Sequence, residues 1–332
     1  MKPRITIVSP YLAEANNGNW RTADRWHRML SKEFNTIVQA GWTIASNQCE
    51  MLVALHARRS ASSIVAFRKA NPSSPLILVL TGTDLYRDIP DDANAMDSLA
   101  LADALVVLQE DALNFIPKPF RTKAHVIYQS CRLLVPARRP STFLRCIAVG
   151  HLREEKAPET IIGAMETLPP KIKLQFIHIG APLDKSLEKQ ARAMAKRDCR
   201  YRYLGALPHG ETRQAIRHSH LLVHPSRMEG GANVIAEAIT SQTGVLASRV
   251  SGNIGMLGKD YPGYFRVGDS ADLAAKLGQC AHPENLAESL IRITETLKRR
   301  FAPDTERAAI LALVHKMFSQ RAGNESGVSL ST

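Results

Sequence analysis

The stretch from Leu221 to Ile239 constrains the fold more than any other part of this chain. Leu221-Leu222-Val223 is a short apolar run of the kind that forms a buried strand. Pro225, Ser226, Gly230 and Gly231 then break the chain, and Val234, Ile235, Ala238 and Ile239 recur on one side of a helix. The order is strand, glycine loop, helix start. The first N–H groups of a helix lack partners, and its N-terminus carries a partial positive charge. Glycines let an anion come close to such groups. The backbone of Gly230, Gly231, Ala232 and Asn233 is therefore a candidate phosphate seat.

Two carboxylates flank this seat. Glu229 stands just before the glycines, and Glu237 lies about two turns into the helix. Carboxylates repel a phosphate, so they need other work. An ionised Glu is a pure acceptor and takes hydroxyl donors, such as those of sugars. A diphosphate carried between two hydroxyl-rich sugars suits glycines and glutamates together, and a nucleotide sugar is such a ligand.

Two glutamates separated by seven residues, with glycines after the first, resemble the E-x7-E motif of GT-B glycosyltransferases of the family 4 group. The resemblance implies an α/β fold of two Rossmann-like, doubly wound domains with an inter-domain cleft and a C-terminal crossover helix. It implies that Glu229 contacts the donor sugar, that Gly230, Gly231, Ala232 and Asn233 hold the diphosphate, and that Glu237 takes the ribose hydroxyls.

Composition agrees with an enzyme of this size. A length of 332 residues suits two ordinary domains, and 45% apolar with 22% charged residues is globular. No apolar run approaches the ~20 residues of a membrane span. The start, Met1 to Pro10, has too short an apolar part for a signal peptide and reads as a first strand. The five cysteines are scattered without metal spacing, which points to a reducing cytoplasm. A net charge of +12 favours anionic ligands. Nucleic acid is disfavoured, because the basic residues lack interleaved aromatics.

In the first half, apolar runs at 4–8, 36–38, 51–56, 76–80, 104–108 and 124–128 predict the strands of one sheet. No G-x-G-x-x-G follows the first, which disfavours a dinucleotide oxidoreductase. The loop there ends in Asn16-Asn17-Gly18-Asn19, and by the resemblance it faces the cleft, with Gly18 toward the donor and Asn19 toward the acceptor. Arg21, Arg25 and Arg28 recur at helical spacing and form a basic stripe that starts at that end. His56, Thr83 and Asp84 follow strand ends, where doubly wound sheets bind ligands. Arg21, Arg25, His56, Thr83 and Asp84 are thus the expected acceptor residues beside Asn19. Pro136 to Pro140 reads as a linker, giving domains at 1–140 and 141–302 and a last segment, 303–332, expected to pack back on the first domain.

The second half opens with Val149-Gly150-His151-Leu152-Arg153-Glu154-Glu155-Lys156, which resembles the family's G-R-L-x-x-x-K loop. By that resemblance Lys156 binds the donor diphosphate, and Arg153 takes over from His151, which stands where Arg is usual. The turn Tyr203-Leu204-Gly205 resembles the family segment whose backbone reads the nucleobase, so Gly205 joins the donor site. Lys156, Arg153 and Glu229 are the expected catalytic residues. No D-x-D metal motif is evident, so neither a metal nor another cofactor is expected.

Gly18 to Trp26 and Thr81 to Asp88 further resemble the selenosugar synthases of selenoneine biosynthesis. That branch implies transfer of a sugar from UDP-N-acetylglucosamine or UDP-glucose to selenophosphate, a small anionic acceptor, with a carbon–selenium bond formed. The alternative is a sugar transfer to an ordinary alcohol, which would require a general base. A nucleotide-sugar hydrolase or epimerase on the same fold would consume donor with no acceptor.

Overall fold

Most of the short apolar runs become strands buried on both faces, the pattern of a parallel sheet covered by helices. The computed structural model describes residues 2–12, 18–46, 49–282 and 286–328. Among these, the strands form two parallel six-stranded sheets, one in each of two units. The first unit holds residues 1–129 and 303–332, and the second holds 130–302.

The first sheet comprises β1 (Arg4–Val8), β2 (Asn35–Gln39), β3 (Met51–Leu55), β4 (Leu76–Leu80), β5 (Ala104–Val107) and β6 (Ala124–Val126) in the order β2-β1-β3-β4-β5-β6. Its helices are α1 (Gly18–Leu30), α2 (Ala61–Ala70) and α3 (Ala93–Leu101). One face of the sheet packs with Trp42, Ile64 and Phe67. The other packs with Trp26, Leu30 and Phe34, and there the last helix joins it through Ile310, Leu313, Val314 and Met317.

The second sheet comprises β7 (Leu144–Val149), β8 (Leu174–Ile179), β9 (Tyr201–Tyr203), β10 (Leu221–His224), β11 (Gly244–Ser248) and β12 (Tyr264–Phe265), ordered β12-β11-β10-β7-β8-β9. Around it lie α4 (Pro158–Thr167), α5 (Lys185–Arg197), α6 (His209–Arg217), α7 (Asn233–Ile239), α8 (Ser251–Leu257), α9 (Ser270–Ala281) and α10 (Leu286–Leu297). The last helix, α11 (Pro303–Val328), belongs to the first unit. β7 lies between β8 and β10, so the chain reverses its direction across the sheet there. In open parallel sheets ligands bind outside the carboxyl ends of the strands at such a switch point. The loops after β7 and β10 therefore meet.

The second unit begins at Ser130, earlier than the expected boundary at 141. The reason is hydrogen bonding: the Cys131 N–H donates to the Phe301 carbonyl at 3.0 Å and the Leu134 N–H to that of Thr240 at 3.0 Å. Arg213 donates to the Arg132 carbonyl at 2.8 Å and Arg139 to that of Gln242 at 2.6 Å. The Pro136–Pro140 stretch is thus fastened to the second unit.

α11 is held to α1 by a buried carboxylate. Glu306 accepts from Arg25 Nε at 2.7 Å and from Trp26 Nε1 at 2.8 Å. Removing that carboxylate strands Arg25, whose side chain is only 17% exposed. Glu306→Ala is expected to cost about 3 kcal/mol, as for breaking other buried ion pairs. Urea unfolding followed by circular dichroism checks this, and an unchanged midpoint would show that the pair does not hold α11 in place.

Candidate functional site

The β7 loop is shaped by close backbone approach. Gly180, at the end of β8, lies against Gly150: a Cβ at Gly180 would sit 1.8 Å from the Gly150 carbonyl oxygen. The Leu152 N–H donates to the Ala181 carbonyl at 2.9 Å, and the Ala181 N–H donates to His151 Nδ1 at 3.2 Å. His151 is therefore a brace of the loop. The chain then makes a 3-10 turn, Glu154–Lys156, and passes through Ala157 at φ 46°, a left-handed conformation that costs energy for any residue but glycine. This kink starts α4. The aliphatic stem of Lys156 passes over Gly150, where a Cβ would sit 3.5 Å from it.

Lys156 ends on Glu229. Its Nζ lies 2.5 Å from Glu229 Oε1, joining two loops whose residues are 73 apart in sequence. The loops are joined again by the Arg227 N–H on the Glu155 carbonyl at 2.9 Å and by Arg227 on Glu159 at 2.7 Å. From the other side Gly252, at the start of α8, touches the Glu229 backbone, since a Cβ there would lie 2.0 Å from the Glu229 carbonyl oxygen. His224, the last residue of β10, places Nε2 3.1 Å from Glu229 Oε1 and 3.2 Å from Ser226 Oγ. Burial pushes the Glu229 carboxyl up, but the Lys156 ammonium and the His224 hydrogen bond outweigh it and hold the carboxyl well below its usual range. Burial lowers His224, and Glu229 opposes that shift. Serine, histidine and glutamate meet here as in a hydrolytic triad, yet hydroxyl and carboxylate address the same ring nitrogen, which forbids a relay through the ring.

The glycine loop departs in part from expectation. Gly230, Gly231 and Asn233 are half-buried, and α7 starts at Asn233. The Ala232 N–H, an expected phosphate contact, is buried and directed at Met256 Sδ at 3.2 Å, because α8 packs beneath the loop. Arg153, an expected catalytic residue, is half-exposed and its nearest partner is Glu155 at 3.7 Å. Glu237 is buried on the second turn of α7, with Oε1 2.7 Å from Nε2 of the half-exposed His209. Sequence reasoning missed His209 and the role of His224. His209 opens α6 after the left-handed turn at Gly205, φ 69°, and only the fold brings it to Glu237.

A small cavity at the strand ends is lined by Gly150, Lys156, His178, His224, Pro225 and Ser226. His178 Nδ1 lies 2.7 Å from the Tyr201 hydroxyl. Burial lowers its pKa from 6.5 to about 4, so the ring stays neutral.

In the first unit the expected acceptor residues separate. His56 and Thr83 do meet, Nε2 to Oγ1 at 3.1 Å, but the ring is only 2% exposed and the residue adopts φ 74°. Asp88 Oδ2 lies 3.7 Å from the same nitrogen and 3.0 Å from Arg58 Nε. Asp84 is engaged by the framework. It is fully buried and accepts from the backbone N–H groups of Ala57, Thr81, Gly82 and Leu85 at 2.8–3.1 Å, tying the β3 and β4 loops together. Arg25 is likewise taken out, by Glu306, and Arg28 pairs with Asp24 at 2.5 Å. Arg21 is half-buried on the first turn of α1 beside Gly18 and Asn19. Asn16 and Asn17 lie outside the described residues.

Comparisons with known proteins bear on the fold. Residues 136–296 match the family described as "Glycosyl transferases group 1". The chain is similar to the sulfoquinovosyl transferase SQD2 of Arabidopsis thaliana, 30% identical over 146 residues, which is 43% of this chain and 27% of that protein. The chain thus matches about a quarter of the length of that curated relative. Among solved structures it resembles sucrose-phosphate synthase from Thermosynechococcus elongatus, with a TM-score of 0.77 at 13% identity, covering 96% of this chain and 100% of that one. It also resembles Anabaena HepE in complex with UDP-glucose, with a TM-score of 0.68 at 14% identity, covering 95% of this chain and 100% of the other. The fold is GT-B. Among the described residues, no helix is long and apolar enough to cross a membrane.

The neutral His178 gives the fold an acid weakness. Above pH 6.5 the ring is neutral in both states and contributes nothing. Below it the unfolded chain takes up a proton that the folded chain refuses until about pH 4. Between pH 7 and pH 4.5 this removes about 2–3 kcal/mol of stability. His178→Gln keeps a partner for Tyr201 but cannot titrate. Urea unfolding at both pH values is expected to give a smaller acid loss in the variant, and equal losses would refute the assignment.

Proposed function

We propose that this chain is a glycosyltransferase of the family 4 type that moves a sugar from a UDP-sugar to a small anionic acceptor, selenophosphate in first place. The observation that carries the donor half is the pairing of Lys156 with Glu229 at the switch point, with Glu237 two turns further on. The E-x7-E resemblance gives these residues their roles, and the UDP-glucose bound by the similar HepE structure supports a UDP-sugar as donor.

The chemistry follows from charge. As the bond from the sugar's anomeric carbon to the diphosphate breaks, the carbon becomes oxocarbenium-like and negative charge grows on the leaving UDP. Preorganised donors aimed at that charge are commonly the largest catalytic contribution. Lys156 has three N–H donors, so it can keep Glu229 and still take a diphosphate oxygen. Glu229 then faces the sugar, and Glu237 the ribose. Selenium of selenophosphate, already anionic, attacks the anomeric carbon, and its electron pair forms the carbon–selenium bond while UDP leaves with the pair of the broken bond. Water then cleaves selenium from phosphorus, giving the selenol and phosphate. Neither step calls for a metal ion.

The acceptor half rests on the resemblance of Gly18–Trp26 and Thr81–Asp88 to selenosugar synthases and on Arg21 at the start of α1. A second reading, transfer to an alcohol, gains support from the pairing of Arg25 and Arg28, which leaves fewer cations for an anion.

Loss of the ribose acceptor provides the donor test. Glu237→Ala is expected to weaken UDP binding by about 1.5–3 kcal/mol, the worth of hydrogen bonds to a charged group. Calorimetry with UDP on the folded variant measures it, and unchanged affinity would remove Glu237 from the site. For the acceptor, the protein is incubated with UDP-N-acetylglucosamine and selenophosphate in excess EDTA, with mass spectrometry of the products. A selenosugar is expected, and Arg21→Ala should raise the KM for selenophosphate severalfold without changing UDP affinity. Sugar transfer to neutral alcohols alone would establish the second reading instead.

A further inference from the structure

The two oxygens of Glu229 have unequal surroundings. Oε1 takes both Lys156 Nζ, at 2.5 Å, and His224 Nε2, at 3.1 Å, while Oε2 takes neither. An ionised carboxylate only accepts, so the His224 Nε2 must carry the hydrogen. The ring is 2% exposed and its Nε2 hydrogen is taken by Glu229, so that nitrogen has no lone pair to offer as a catalytic base.

The ring is also fixed in place. It sits on the last residue of β10, in the interior of the sheet. Ser226 Oγ lies 3.2 Å from the same nitrogen, and Ser226 is itself fully buried. Beneath it, Ser248 donates to the Ser226 carbonyl at 2.5 Å, and Asn253 donates to the Ser248 carbonyl at 2.8 Å. The start of α8 thus supports the His224 ring through two buried serines, while the neighbouring Gly252 presses on the Glu229 backbone.

Lys156 could not fix the carboxylate alone. Its ammonium ends a flexible four-carbon stem and is shared with the diphosphate once donor arrives, so a carboxylate held only by Lys156 would follow it. An imidazole set in the sheet does not move. We propose that His224 is a positioning residue: it holds Oε1 of Glu229 and so presents Oε2 to a hydroxyl of the donor sugar. This rests on the reading of Glu229 as the donor-sugar contact.

The test separates sugar from nucleotide. UDP lacks the sugar that Glu229 meets, so His224→Leu is expected to leave UDP affinity within error while kcat/KM for UDP-N-acetylglucosamine falls about ten- to a hundredfold, the worth of a hydrogen bond to a charged group. In His224→Gln the amide nitrogen reaches about as far as Nε2 and can donate to Oε1, so a large part of the rate is expected to return. A further measurement places the effect on Glu229: in a Glu229→Ala background, which removes the acceptor, His224→Leu is expected to cost less than threefold, because the two act through one contact. Full activity of His224→Leu, a parallel loss of UDP affinity, or additive losses in the double variant would each overturn the proposal. A wild-type protein that does not bind UDP would overturn the donor reading itself, and this proposal with it.

Discussion

Glu229 carries a negative charge on a side chain that is only 11% exposed, and elements of the second unit meet around it to neutralise it. Such a charge is costly to bury alone and tolerable when it is paired and hydrogen-bonded. Its partners come from different elements: Lys156 from the β7 loop, His224 from the end of β10, and Gly252 of α8, which sets where the backbone can lie. The order β10-β7-β8 is what allows this. A sheet in which β10 lay at the edge would leave Lys156 and Glu229 apart. The left-handed turn at Ala157 and the contact of Gly180 with Gly150 are local distortions that bend the β7 loop toward the pair.

The same rule governs the first unit with a different outcome. Asp84 is buried and takes backbone amides, and Glu306 is buried and takes Arg25 and Trp26. Both satisfy their charge within the fold, and neither has an oxygen to spare for a ligand in the way that Glu229 has. A carboxylate near a strand end is therefore a clamp or a contact according to how many of its lone pairs the protein already fills. By that criterion Asp84 acts as a clamp, while Glu229 keeps an oxygen that neither Lys156 nor His224 takes.

Much of the fold was legible. Runs such as Leu76–Leu80 and Leu221–Val223 are continuous and apolar because both faces of a parallel strand are covered, and they became β4 and part of β10. The glycine loop before α7 was legible because glycines and Pro225 break the apolar periodicity on either side of it. The acceptor residues were read less well. Helical spacing placed Arg21, Arg25 and Arg28 in one stripe, but spacing says nothing of Glu306, which is 281 residues from Arg25 in the chain. His209 carried no signal of its own beside Pro208 and Gly210, since its meaning lies in Glu237.

The sequence by itself determined the succession of buried strands, the breaks between them and the placing of Glu229 and Glu237 around a glycine loop. These are local properties, set by periodicity and by the conformational freedom of a few residues. Only the tertiary structure decided which charges meet: Lys156 with Glu229, His224 on the same oxygen, His209 with Glu237, and Arg25 and Asp84 drawn into the framework. Electrostatic pairing acts over a few ångströms in space without regard to separation along the chain, and it is the order of the strands that sets those distances.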